Sequence, residues 1–196
     1  MIHLYDDAVV NRFREILGDD SIMIVPPERA KDVKAQLSDN DEIKFPLITL
    51  DRTGWSVQSN RINWSASRMG IADSISSNNK ANILHAIPIR INYSLDVFTV
   101  DKVSADEIYR ELIFYFLLHP TLMVNIPYGL DTEHVFNLFF NDDIEDNSDT
   151  VSHVDNGVLY RNTSTLYTDD AHLFANTPVD LVTTSINLET KRKREM

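Results

Sequence analysis

Cysteine is absent from this chain, which removes disulfide frameworks, thiolate zinc sites, iron–sulfur clusters and a cysteine nucleophile together. Glycine is nearly as scarce: five residues stand alone at positions 18, 54, 70, 129 and 157. None forms a G-x-x-x-x-G-K or G-x-G-x-x-G phosphate cradle, and no G-x-S-x-G elbow occurs. Positive charge is in deficit, with 18 basic against 30 acidic residues and a formal net charge of -12. Such a chain repels nucleic acid except where basic residues gather, and they gather only at Lys191-Arg192-Lys193-Arg194. Long apolar runs are missing too. Leu112 to Leu118 falls far short of the ~20 residues a bilayer-spanning helix needs. Met1 to Asp7 lacks the basic and apolar regions of a signal peptide. The expectation is a soluble protein made in the cytoplasm, with no membrane partner.

What is present is enough for a core. Of 196 residues, 43% are hydrophobic, which suits one ordinary folded domain. Tyr5, Val9, Phe13 and Leu17 recur every four residues with Ile16 beside them, predicting a first amphipathic helix, while Asp6, Asp7, Arg12 and Arg14 point elsewhere. Gly18 is placed to end it in a left-handed turn. Ser21–Val25 reads as a short strand stopped by Pro26-Pro27, Glu28–Leu37 as a weaker helix, and Phe45–Asp51 as a second strand. Arg52 to Lys80, rich in Ser and Asn, reads as a long loop or hairpin insertion, with Trp55 and Trp64 better placed in the core than facing a partner. Ile87, Ile89, Ile91, Tyr93, Leu95 and Val97 alternate with polar residues and predict a long strand with one buried face. Ser104-Ala105-Asp106-Glu107 has the form of a capping box opening a helix whose core face is Ile108, Leu112, Tyr115 and Phe116. Its second half, Ile113–Leu118, is apolar all round and is expected to be buried on more than one side. His119-Pro120 closes it. Strand-like stretches follow at 122–126, 134–141 and 158–167, and 179–188 reads as a final strand or an arm. The expected organisation is a single α+β domain over 1–178, a mainly antiparallel sheet with helices packed on one face, followed by a C-terminal strand or arm with a basic end over 179–196.

Candidate chemistry is thin. Asp142-Asp143-Ile144-Glu145-Asp146-Asn147-Ser148-Asp149 offers oxygen ligands for a hard cation. The calcium-loop pattern fails, because Ser148 and Val154 stand where glycine and glutamate belong. Eight acids and no Lys or Arg fall between Asp131 and Asp155, so a solvated acidic hairpin loop is the favoured reading. The six histidines, at 3, 85, 119, 134, 153 and 172, lack zinc-site spacing. Asp169-Asp170-Ala171-His172 suggests an acid–histidine couple for general-base work but has no positioned nucleophile beside it. No catalytic, cofactor-binding or metal site is assigned.

The order of features resembles the tail-terminator (neck-to-tail joining) proteins of tailed bacteriophages from about residue 2 to 175. The stretches that carry the resemblance are Leu17-Gly18-Asp19, Pro26-Pro27-Glu28-Arg29, Phe45 to Arg52, Ile87 to Thr99 leading into Ala105-Asp106-Glu107-Ile108, Leu159-Tyr160-Arg161, and Leu166 to Ala171. These are patterns of strand and helix rather than of a reactive site. The resemblance implies a non-catalytic virion protein that forms a ring, typically hexameric. That ring caps the finished tail tube, with or without a sheath, and joins it to the neck connector while DNA passes through unbound. Arg52–Lys80 and Asp142–Asp149 are then expected as contact or lumen-facing loops. The competing expectations are another neck, head-completion or baseplate component, a metal-dependent hydrolase using the Asp142–Asp149 acids, and a monomeric adaptor.

Overall fold

The computed structural model describes residues 1–18, 22–35, 44–62, 68–69, 80–126, 133–148 and 159–180. Helix α1, Ile2–Leu17, buries Tyr5, Val9, Val10, Phe13 and Leu17 and ends at Gly18, whose φ of 50° is left-handed and whose N–H returns to the Arg14 carbonyl at 3.0 Å. Glycine takes that conformation without the Cβ penalty other residues meet.

Two long strands, β4 (Lys80–Thr99) and β8 (Tyr160–Asp180), form the spine of the main sheet. Its order is β1 (Met23–Val25), β2 (Leu47–Val57), β4, β8, β7 (Phe139–Asp146), with β3 (Arg68–Met69) also on β4. Among the described residues only β1 and β2 run parallel, and the other pairings are antiparallel. β5 (Thr121–Asn125) and β6 (Glu133–Asn137) make a separate antiparallel pair. The chain is an α+β domain, as its alternation of periods implies.

The core divides by strand parity. Ile48 and Leu50 of β2, with Ile89, Ile91, Tyr93, Leu95 and Val97 of β4, share one cluster with α1, helix α3 (Lys102–Leu118) and the β5–β6 pair. Leu47 and Phe98 point the other way and meet Val33 of a short helix α2 (Ala30–Ala35), with Val25 and Leu159. So α1 and α3 cover one face and α2 closes one end of the opposite face. That second cover explains why Asp96 and Phe98, outward by pattern, are buried.

Several expectations need correction. The cap of α3 is Asp101, not Ser104: its carboxylate accepts from the Ser104 N–H and hydroxyl, both at 2.8 Å. Aspartate caps as well as serine and comes first, so the helix starts at Lys102 and Glu107 falls in its second turn. The apolar end of α3 is not buried on several sides. Only Leu112 and Phe116 of that turn face the core, while Phe114, Leu117 and Leu118 are 61%, 74% and 69% exposed. Arg52 to Val57 continue β2 rather than opening a loop, with a bulge at Thr53. Trp55 is 48% exposed, because β1 flanks β2 only as far as Thr49; Trp64 lies outside the described residues. Stretch 134–141 is broken at Leu138 into strands of two sheets. The expected boundary at 178 falls inside β8, whose Val179 and Asp180 pair with Ala81 and Lys80.

Candidate functional site

The most connected polar cluster surrounds a bulge. Ile89 pairs with Ala171 and Ile91 with Thr168, so β8 spends Asp169 and Asp170 where β4 spends Arg90 alone. Arg90 forks the Asp169 carboxylate through Nε (2.6 Å) and a terminal nitrogen (2.9 Å), while its guanidinium lies 4.8 Å from the Tyr167 ring centre. Gln58 donates to the same carboxylate at 2.7 Å. Arg61 donates to the Asp169 carbonyl and pairs with Asp170 at 3.3 Å, and Asn137 donates to the other Asp170 oxygen at 3.1 Å. Both carboxylates are thus engaged by cations and amides.

The acid–histidine couple suggested by Asp169-Asp170-Ala171-His172 takes a different form. His172 Nδ1 meets the Asp170 main-chain carbonyl at 2.9 Å, and His134 Nε2 meets that same oxygen at 2.8 Å. A carbonyl has two lone pairs, so both nitrogens are assigned as N–H donors to it. Their 3.3 Å separation is then a contact between donors, which disfavours a second positive charge. Burial holds both imidazoles below the usual range, aided for His134 by His172 and for His172 by Arg61. Tyr5 completes the latch, donating to the His172 carbonyl at 2.8 Å and accepting from its N–H at 2.9 Å; burial pushes its phenol up to about 12. What this arrangement does is fasten α1 and β6 to a kinked β8.

The histidine pair sets a pH dependence. Both pKa values are depressed in the folded state, so as pH falls below about 6.5 the unfolded chain takes up protons that the folded chain refuses. Stability therefore falls from pH 7 toward pH 5 and levels off once the folded imidazoles also protonate. Denaturant melts across that range check this. The decline should shrink in a His134→Gln, His172→Gln double variant, and an unchanged slope would contradict the pair's role.

A second buried centre lies beneath α1. Asp6 was expected to point away from the core, yet it is 5% exposed. It accepts from the Tyr93 hydroxyl at 3.0 Å and pairs with Arg52. Burial raises its pKa more than Tyr93 and Arg52 lower it. Asp6 stands three, four and seven residues before Val9, Val10 and Phe13, the spacing of one helix face, so the signal was present in the sequence. Beside it opens a cleft of about 690 Å³ whose walls alternate in charge: Lys31 and Arg52 against Glu28, Asp51 and Asp6. It offers no ligand a single sign of charge.

The acidic run resolves differently from a hairpin loop. Residues up to Asp146 lie on β7, and Asp143, Glu145 and Asp146 are exposed along the sheet's edge. Asp149, the side chain of Asp142 and the Lys191–Arg194 tail lie outside the described residues. Among the described residues no group of three or more His, Asp or Glu is arranged to hold a metal ion. Beside β7, a cleft of about 330 Å³ runs to α3, lined chiefly by Ile113, Phe116, Leu117, Phe139 and Ile144. No protein-family model matches the chain, and no curated protein matches it.

Proposed function

We propose that this chain is a structural virion protein of a tailed phage, a ring-forming tail terminator that caps the tail tube and joins it to the neck. One observation carries the assembly part of this reading. Ile113 and Leu117 of α3 line one cleft with Phe139 and Ile144 of β7, and all four are exposed; contiguous apolar surface of that kind marks a protein–protein contact. The resemblance of strand and helix order supplies the particle. The formal charge of -12 suits a channel through which DNA slides without adhering.

Light scattering, with negative-stain images of the same sample, tests this. The expected result is closed rings of about six subunits that bind the ends of purified tail tubes. A strict monomer that ignores tubes would move the assignment to an adaptor, and rings that bind heads but not tubes would move it to a head-completion component.

A further inference from the structure

Among the described residues both edges of the main sheet are open, and they are unlike. At one edge β7 pairs, among those residues, with β8 alone. At the other, β1 flanks β2 as far as Thr49, and among the described residues no strand pairs with the outer side of Asp51–Val57. Open edges are templates for another strand. β2 and β8 both run antiparallel to β4, and β7 runs antiparallel to β8. Hence β7 of one copy and β2 of an identically oriented neighbour run antiparallel, and a sheet extended in this way keeps the pairing of its own interior.

Side chains favour this joint over its rivals. The β7 edge carries Asp143, Glu145 and Asp146, so pairing β7 with itself across a two-fold axis would set acids against acids, which is unfavourable on facing strands. On the β2 side, Lys31, which lines a cleft with Asp51 and Arg52, is exposed and makes no ion pair among the described residues. Apolar groups match as well: Trp55 and Val57 stand exposed on one edge, Phe139 and Ile144 on the other.

We infer that copies of this chain join head to tail through β7 of one and the Asp51–Val57 segment of β2 of the next, making one antiparallel sheet across each subunit boundary. This rests on the ring reading above and names its seam. A joint between unlike patches leaves each copy with one free edge of each kind, so it propagates until it closes, as a ring requires.

The absence of cysteine makes the test clean. A variant carrying both Ser56→Cys and Asn141→Cys, two exposed positions that face each other when Asp51–Val57 and β7 pair antiparallel, is assembled and oxidised. Non-reducing gels should show a ladder of covalent multimers that collapses to monomer on reduction, while each single variant stays monomeric on the gel. Asp143→Lys with Glu145→Lys should abolish rings while leaving the circular dichroism spectrum and melting unchanged. Rings in the unmodified protein that neither cross-link at this pair nor respond to the charge reversal would overturn the seam and leave the ring reading standing. Dimers from the single Asn141→Cys variant would overturn it in favour of a two-fold contact. An unmodified protein that never associates would overturn both.

Discussion

Asp96→Ala should unfold about 3 kcal/mol more easily than the unmodified protein at neutral pH. That corresponds to a melting temperature lower by roughly 6–12 °C for a chain of this length. Asp96 is 0% exposed and sits where α2, β4 and β8 meet. Lys34 pairs with one oxygen, and Arg161 and Thr163 donate to the other at 3.0 and 2.6 Å. Burial alone would raise its pKa, but Lys34, Thr163 and Arg161 together outweigh burial and hold it below the usual carboxylate range. Removing the carboxylate leaves two cations facing each other across a cavity, with only their partial exposure to water to relieve them. Asp96→Asn, which keeps an acceptor for Thr163, should lose roughly half as much. The sign with pH follows from the depressed value: the stabilisation is fully present above the unfolded pKa near 3.8 and is lost as pH falls through the folded one. Melts of wild type and Asp96→Ala should therefore converge in acid. A constant gap from pH 7 to pH 2 would show that packing, not charge, carries the site.

Local periodicity made much of the fold readable, and tertiary cover decided the rest. α1, its Gly18 stop and the alternation from Ile89 to Val97 were legible because each repeats one chemical requirement over several turns or pleats. Nothing in that alternation reveals that α2 would cover the far face at Asp96 and Phe98, since burial on a second side is set by residues distant in the chain. The exposed end of α3 is the converse case. Ile113 to Leu118 reads as interior by composition, but the number of neighbours a helix receives is not written in its own sequence. The sheet edges were hidden for a related reason. Trp55 and Ile144 look like core residues or loop residues until the partner strands are known, and the acids of β7 looked like a loop because charged residues are uncommon in strands except at edges, where they discourage the wrong pairing. Asp6 was different, being legible and overlooked. It lies on the helix face of Val9, Val10 and Phe13, and a carboxylate there calls for a cation, which Arg52 supplies from β2.

Arg52→Ala tests that last relation and should produce a defect that grows with pH. Asp6 and Asp96 are both buried aspartates, yet their pKa values move in opposite directions, because Asp96 has two cations and a hydroxyl while Asp6 has one partly exposed arginine and the Tyr93 hydroxyl. For Asp6 desolvation wins. Its folded pKa lies above its unfolded one, so the folded state holds a proton longer and stability falls as pH rises from about 3.8 through the raised value, then levels off. Removing Arg52 takes away the main counter-charge and pushes that value higher still. The variant should therefore match wild type near pH 3, below the ordinary value of 3.8 and so below the raised one, and be less stable by about 2 kcal/mol at pH 7. That figure is below the cost for a fully buried pair because the Arg52 side chain is 34% exposed. Asp6→Asn in the Arg52→Ala background should restore most of the loss at pH 7, since a neutral amide still accepts from Tyr93 and carries no charge to desolvate. Chemical denaturation of wild type and the two variants at both pH values decides the matter. If the double variant is no more stable than Arg52→Ala at pH 7, the defect comes from lost packing of the arginine stem over α1, not from a carboxylate stranded in the core.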